Sequence, residues 1–377
     1  MPQPLRFLIS GGGTGGHIFP AVAIANALKE RAPDALFLFV GALGKMEMEK
    51  VPAAGYAIKG LPIRGFQRGA IFKNLGLLWR LLRSMMMARG IVRTFKPDVA
   101  IGTGGYASGP VLAAAQRAGI PTLVQEQNSH AGATNRMLAK RAKAICVAYP
   151  GMGRYFPEDK LRLTGNPVRQ DMVRLAGKRP RGMEHFKLRE GAPVVLVTGG
   201  SLGARGINLG IAAALKAFKD RGVQLIWQTG TPYHATALKA VQDAGYTDGH
   251  VHEFIARMDL AYAVADVVVA RAGAISVSEL CITGLPSILV PLPTAAEDHQ
   301  TSNARALSDR GAAVLVKDAD ATGGLELEVL RLIGDPAERE RLHKAMGPLA
   351  MANAAEDIAM EVMRVARPTE LNGKSKQ

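Results

Sequence analysis

The feature that most constrains this chain is a strand–turn–helix unit that occurs twice. The apolar run RFLIS (6–10) leads into the glycine turn GGGTGG (11–16) and then into a helical stretch, HIFPAVAIANALKER. The run VVLVT (194–198) leads into GGSLG (199–203) and then into ARGINLGIAAALKAFKDRG. A buried strand, a glycine turn and a helix, in that order, open a parallel α/β sheet. Such an opening in each half of a 377-residue chain predicts two α/β domains. More short apolar runs follow each opening: ALFLFVG, DVAIGTGG, TLVQEQN and AICVA in the first half, then VQLIWQT, HVHEFI, ADVVVARAG, SILVPLP and AAVLV in the second. Near-continuous Val/Ile/Leu runs suit strands covered on both faces. Their alternation with helical patterns predicts doubly wound sheets.

The division is expected at KLRLTGNPVRQDM, where TGNP is turn chemistry after a short strand, followed by a charged connector, KRPRGMEHFKLREGAP. The expected organisation is an N-terminal domain over 1–165, a C-terminal domain over 166–347 and a last helix over 348–367. A disordered tail is expected over 368–377, PTELNGKSKQ, which is too polar to pack.

Charge is divided unevenly between the halves. Residues 1–165 hold 22 Lys and Arg against 8 Asp and Glu, a net +14, whereas residues 166–377 hold 25 against 24, a net +1. A basic first half points to an anionic partner: nucleic acid, an acidic membrane or a phosphorylated substrate. No recognition helix, aromatic platform or RNA motif accompanies the charge, so no nucleic-acid partner is expected. The N-terminal apolar run is too short for a signal peptide. No uncharged apolar stretch approaches the roughly 20 residues of a membrane span. Residues 71–95, IFKNLGLLWRLLRSMMMARGIVRTF, are apolar nearly all round but carry Lys73, Arg80, Arg83, Arg89 and Arg93. That pattern is either a crossover helix packed on the sheet or an apolar patch, ringed by cations, that rests on an anionic bilayer. Cys146 and Cys281 sit inside apolar runs, without a disulfide framework or a nucleophile context.

Gly11 to Gly16 fits G-x-G-x-x-G between a strand and a helix, where backbone N–H groups can meet an anion. A dinucleotide site further requires an acidic residue at the end of the second strand, for a ribose hydroxyl. That strand ends here in Val40-Gly41-Ala42, and its counterpart in the second half ends in Gln228-Thr229, so a nicotinamide enzyme is disfavoured. His17 follows the first turn directly, above the carboxyl ends of the strands, where an imidazole could act as general base. The loop with Gly104, Gly105 and Tyr106 and the polar strand end with Glu126 and Asn128 join it in the first half. In the second half the loop around Ser201 repeats the anion-turn logic. Ala270 to Glu279 gives a glycine turn and then a helix on which Glu279 could accept from a ribose diol. Asp318 and Asp320 have the spacing of a carboxylate pair. With no third ligand nearby they read as the charged start of a helix, and no metal is expected.

The motifs GGGTGGH, GTGGYASGP, QEQN, TGNPVR, GGSLGARGIN, ADVVVARAGAISVSE, GLPSILVPLP and EDHQTSNA stand in one order over residues 6–305. In that order they closely resemble the MurG family, the N-acetylglucosaminyltransferases of bacterial peptidoglycan synthesis in glycosyltransferase family 28. The resemblance implies a GT-B fold: two Rossmann-like, doubly wound parallel-sheet domains facing across a cleft. It implies UDP-N-acetylglucosamine as donor and lipid I, the undecaprenyl-diphosphate-linked muramoyl-pentapeptide, as acceptor. The product would be lipid II, made by inverting transfer to the muramoyl C4 hydroxyl without a cofactor. It implies a peripheral enzyme at the cytoplasmic face of the inner membrane, held to an anionic surface by the basic half.

Carried onto this sequence, the resemblance gives Ser201 a diphosphate contact and Arg169 and Ile255 uracil-side positions. Ala274, Ile275, Ser276, Val277 and Ser278 form the nucleotide loop, with Glu279 on the ribose. Gln300 and Asn128 match sugar contacts. Thr14, Gly15 and Gly16 contribute from the other side of the cleft, where the acceptor diphosphate is also expected. Gly13, Gly104, Gly105, Tyr106 and Glu126 are acceptor-side residues. His17 is the candidate base.

Overall fold

The computed structural model describes residues 3–64 and 76–366. The chain divides into two compact units: residues up to Val168 together with those from Ala352 onward, and Arg169–Met351.

The first unit is built on a parallel sheet of strands β1 (Arg6–Gly11), β2 (Leu36–Ala42), β3 (Ile58–Leu61), β4 (Val99–Gly104), β5 (Thr122–Glu126), β6 (Ala144–Val147) and β7 (Leu161–Leu163). Their spatial order is β3-β2-β1-β4-β5-β6-β7. The second unit holds β8 (Val194–Thr198), β9 (Gln224–Gln228), β10 (Gly249–His252), β11 (Val267–Ala270), β12 (Ser287–Leu289) and β13 (Val314–Leu315), ordered β10-β9-β8-β11-β12-β13. All pairings are parallel. Each unit therefore contains the Rossmann order 3-2-1-4-5-6, in which the winding reverses beside the first strand. The reversals lie between β1 and β4 and between β8 and β11. Open α/β sheets bind ligands beyond the carboxyl ends of the strands at such points.

Covering both faces of the central strands accounts for their unbroken apolar sequences. Phe7, Leu8 and Ile9 of β1 and Val194 to Val197 of β8 are all fully buried. Two elements depart from the sequence reading. The strand β3 carries Lys59 and Gly60 on the sheet edge, and its half-buried pattern gives no apolar run to detect. The expected charged connector contains a helix, Arg179–His185. It docks through Gly182, where an added Cβ would lie 2.6 Å from Val264 and 2.8 Å from the Leu260 carbonyl. A helix that packs through a glycine leaves little apolar periodicity.

The expected boundaries at 165 and 347 also move. Asn166 is buried with Gln125 and Gln127 of the first unit, so the TGNP turn stays there and the division falls after Val168. The last helix begins at Ala354 rather than 348. It runs to Ala366 and buries Ile358, Ala359, Val362 and Val365 in the same core as β1 and the helix Gly15–Arg31. Ion pairs of Glu356 with Arg31 and of Glu361 with Arg162 flank that face. The tail expected over 368–377 lies outside the described residues.

Helix Leu77–Phe95 buries Ser84, Ala88, Ile91 and Val92 on one face. Leu78 and Trp79 at its start remain 69% and 65% exposed, and Leu82 and Met86 are exposed as well. One side of the helix thus packs as a crossover helix does and the other is exposed; residues 71–75 of that segment lie outside the described residues. Among the described residues no helix is long and apolar enough to cross a membrane.

Candidate active site

In the first unit, β1 ends in the glycine turn. Gly13 has a positive φ of 87°, and its N–H donates to Glu47 Oε2 at 2.9 Å. The other Glu47 oxygen accepts from Ala42 N, also at 2.9 Å, and the carboxylate is fully buried. Glu47 thus braces the turn and takes up the N–H of Gly13, one of the expected acceptor-side residues. The N–H groups of Gly15 and Gly16 precede any intrahelical acceptor, and no side chain caps helix Gly15–Arg31. They keep the anion-binding capacity of the turn. Opposite, after β4, Gly105 has φ 83° and passes so close that an added Cβ would lie 2.2 Å from the Gly12 carbonyl. Only glycine fits there. Ser108 Oγ ties the two loops by donating to Ser10 O at 2.7 Å.

His17 stands in the first turn of the helix, half-buried. Its carbonyl accepts from Thr103 Oγ1 at 2.8 Å, and its Nδ1 lies 3.0 Å from Gln127 Oε1. The ring rests on Gly104, where a Cβ would come within 2.8 Å of it. Tyr106 is 53% exposed in the same loop. Glu126 is placed differently from the expectation. It is buried, and both oxygens are spent within the protein: Oε1 on Asn128 N (3.0 Å) and Nδ2 (3.3 Å), Oε2 on Gly132 N (3.0 Å) and Asn135 Nδ2 (2.9 Å). Four donors on one carboxylate shape the loop that presents Asn128, and Glu126 acts on that loop rather than on an acceptor.

In the second unit, Ser201 lies exposed on the turn after β8, ahead of helix Arg205–Asp220, which no side chain caps. Gly203 (φ 74°) crosses the Thr229 carbonyl, where a Cβ would be 1.8 Å away. Buried Gln228 braces this turn: Nε2 donates to Gly200 O at 3.0 Å, and Oε1 accepts from Ile255 N at 2.9 Å. An amide, which both donates and accepts, is what that strand end uses where a dinucleotide site would need an acid. After β11, helix Ala274–Thr283 begins at Gly273, again without a side-chain cap. Ile275 and Ser276 are half-buried, and Ser278 Oγ donates back to Ala274 O at 3.0 Å. Val277 and Ile255 turn into the core, and the Val277 N–H donates to Gly273 O. Any contact of these two residues with a nucleotide would therefore be through the backbone.

Glu279 accepts from Tyr262 Oη at 3.0 Å. Burial pushes its carboxyl up to about 7, against the opposing pull of Tyr262 and Arg169. Burial and this carboxylate together push the Tyr262 phenol well above its ordinary value. Gln300 Oε1 accepts from Leu292 N at 2.9 Å, which orients the loop after β12. Asp318 pairs with Arg271, itself bonded to the carbonyls of Val290 and Pro291, and starts a short 3-10 turn. Both cysteines are buried, with thiols pushed up to about 12, too high for nucleophiles at neutral pH.

Each unit therefore gathers its own set at one sheet edge. Thr14 to His17, Gly104 to Tyr106 and Asn128 lie beyond β1, β4 and β5. Ser201, Ala274 to Glu279 and Gln300 lie beyond β8, β11 and β12, with Arg169 beside Glu279. Residues 7–147 match the glycosyltransferase family 28 N-terminal domain, and residues 194–362 match the family's C-terminal domain. The chain belongs to glycosyltransferase family 28.

A relative of this family 28 enzyme from Bacteroides thetaiotaomicron is 50% identical over 368 residues, covering 97% of this chain and 99% of its own. One from Porphyromonas gingivalis is 51% identical, covering 96% of each. Both are named UDP-N-acetylglucosamine--N-acetylmuramyl-(pentapeptide) pyrophosphoryl-undecaprenol N-acetylglucosamine transferase. Among solved structures, Acinetobacter baumannii MurG superposes with a TM-score of 0.78 at 27% identity, over 96% of this chain and 100% of that one. A UDP-GlcNAc 2-epimerase from Neisseria meningitidis shares the GT-B fold, with a TM-score of 0.68 over 96% of this chain and 100% of that one, at 15% identity.

Sequence reasoning missed the residues that brace the candidate site: Glu47, Gln125, Gln127, Asn166, Gln228 and Tyr262. The available signal was weak. Gln125, Gln127 and Gln228 are polar residues within or ending otherwise apolar strands, where a buried amide demands partners. Nothing local marks Glu47 or Tyr262.

Proposed function

We propose that this glycosyltransferase moves N-acetylglucosamine from UDP-N-acetylglucosamine to the C4 hydroxyl of the muramoyl sugar of lipid I, forming lipid II. The observation that carries this is half-identity over nearly the whole chain to relatives named for that transfer. The second unit takes the donor: the helix starts at Arg205 and Ala274, whose N-cap residues Ala204 and Gly273 make no side-chain bond, suit a diphosphate, and Glu279 suits a ribose diol. The first unit takes the acceptor, whose diphosphate meets the Gly15 and Gly16 N–H groups.

The chemistry is a single displacement. His17 removes the C4 hydroxyl proton as that oxygen bonds to the anomeric carbon from the face opposite UDP. The bond from that carbon to the phosphate oxygen breaks, and UDP leaves with the electron pair. One displacement inverts the anomeric centre. Fixed N–H dipoles near Ser201 stabilise the charge developing on the leaving group. The test is transfer of labelled sugar from UDP-N-acetylglucosamine to a short-chain lipid I analogue. A β-linked disaccharide-lipid that forms only with both substrates is expected; donor binding without transfer would retire the acceptor assignment.

The same proposal places the enzyme peripherally on the cytoplasmic face of the inner membrane. Leu78, Trp79, Leu82 and Met86 are exposed on the helix whose Leu81 and Met85 line an apolar groove of about 650 Å³ with Arg64, Arg117 and Arg141. Apolar side chains among cations suit an anionic lipid surface. Vesicles with anionic lipid are expected to co-sediment the protein at low salt and to release it at high salt, whereas neutral vesicles bind it weakly. Equal binding to both would remove the electrostatic part.

A further inference from the structure

Beneath His17 lies a set of buried amides that the transfer chemistry just described does not use. Gln125, Gln127 and Asn166 are each at most 1% exposed. They come from the end of β5 and from the TGNP turn after β7, and they are linked in one direction. Asn166 Nδ2 donates to the Gln127 backbone carbonyl at 3.0 Å. Gln125 Nε2 donates to Asn166 Oδ1, also at 3.0 Å. Gln127 Nε2 donates to the Thr103 carbonyl at 2.6 Å and to Gln125 Oε1. Gln127 Oε1 is left facing His17 Nδ1 at 3.0 Å.

The two ends of this relay admit only one orientation. A backbone carbonyl can only accept, so the NH2 group of Asn166 must face Gln127 O, and that of Gln127 must face Thr103 O. Turning the Gln127 amide over would set its oxygen against the Thr103 carbonyl and Gln125 Oε1, with no proton between them. Buried, that arrangement is strongly disfavoured. The atom facing His17 is therefore a carbonyl oxygen, and Nδ1 of the imidazole must donate to it. In the neutral ring the proton then sits on Nδ1, and the lone pair sits on Nε2.

We propose that Gln127 is a positioning residue: its side-chain carbonyl, aimed through Gln125 and Asn166, holds the proton of His17 on Nδ1 and so makes Nε2 the basic nitrogen. The inference rests on His17 being the base. An isolated imidazole favours the opposite tautomer, with its proton on Nε2, which cannot accept a proton there. The relay therefore removes a competing inactive form. Being neutral, the amide keeps its bond to Nδ1–H both before and after Nε2 takes the acceptor's proton. The Thr103 hydroxyl on the His17 carbonyl fixes the backbone that carries the ring, and the absent side chain at Gly104 leaves the space the ring occupies.

The test reads the tautomer directly. Protein labelled with 15N-histidine is examined by two-bond 15N–1H correlation at a pH where His17 is neutral, and its signals are assigned by their loss in His17→Gln. The expected pattern is a protonated Nδ1 and an unprotonated Nε2. A protonated Nε2 in the wild-type protein overturns the proposal, whatever the variants do. In Gln127→Leu the proton is expected to move to Nε2 and kcat to fall roughly 10- to 1000-fold, since a base held in the wrong tautomer can cost up to about 10⁴. KM for both substrates is expected to stay within about two-fold, as an orienting contact acts in the chemical step. An unchanged kcat in folded Gln127→Leu also overturns it. The reading of His17 fails separately: if His17→Ala keeps its kcat, the base is elsewhere, even with the tautomer as described.

Discussion

Replacing His17 with alanine is expected to lower kcat about 10²- to 10⁴-fold, the usual contribution of a positioned general base. The effect should fall on the chemical step. His17 stands in the first turn of helix Gly15–Arg31, with its backbone carbonyl and its Nδ1 each held by a neighbour and its ring against Gly104. The groups suited to a nucleotide belong to the other unit, Arg169–Met351. Affinity for UDP-N-acetylglucosamine, measured by calorimetry without acceptor, is therefore expected to stay within about two-fold. Loss of donor affinity equal to the loss of kcat/KM would make His17 a binding residue. A near-normal kcat would dismiss it as the base.

Affinity for UDP-N-acetylglucosamine is expected to fall as pH drops below about 7, by roughly 10- to 100-fold in all, and to level off above it. The cause is Glu279. Burial pushes its carboxyl up to about 7, so near neutrality the free enzyme holds it partly protonated. A ribose diol offers two hydroxyl donors, which the carboxylate accepts and the acid form accepts less well. Binding then selects the charged form and releases a proton whenever the free enzyme carries one. As pH falls through the raised value, that proton must be removed at growing cost, and affinity drops. Glu279→Gln should flatten the dependence. It should also weaken binding at pH 8 by roughly 10- to 100-fold, the 1.5–3 kcal/mol of a hydrogen bond to a charged group. Calorimetry in buffers of different ionisation enthalpy counts the protons released. A wild-type profile flat from pH 6 to 8 would remove Glu279 from the ribose.

How much of this was legible beforehand depends on what each residue answers to. Central strands are buried on both faces, so Val194 to Val197 or Phe7 to Ile9 announce themselves locally. The glycines at 13, 105 and 203 were visible as motifs, because a positive φ leaves few alternatives. Side chains that act through distant partners were not. Glu126 looked like a ligand contact from its place at a strand end. Its four donors come from Asn128, Gly132 and Asn135, and no spacing reveals that they converge on it. Glu47 reaches Gly13 across more than thirty residues, and the Gln125–Gln127–Asn166 relay needs two turns brought together by the sheet. The helix Arg179–His185 failed differently, since its contact surface is the absence of a side chain at Gly182.

The last helix gives biosynthesis an order. Ile358, Ala359, Val362 and Val365 complete a core whose other walls are β1 and the helix that follows it. A ribosome delivers those walls first and the closing helix only after every residue of Arg169–Met351 has been synthesised. Domains fold as units while they are made. The unit begun first is thus the one that closes last, and until the helix Ala354–Ala366 has been made and has left the ribosome that apolar face stays open to chaperones and proteases.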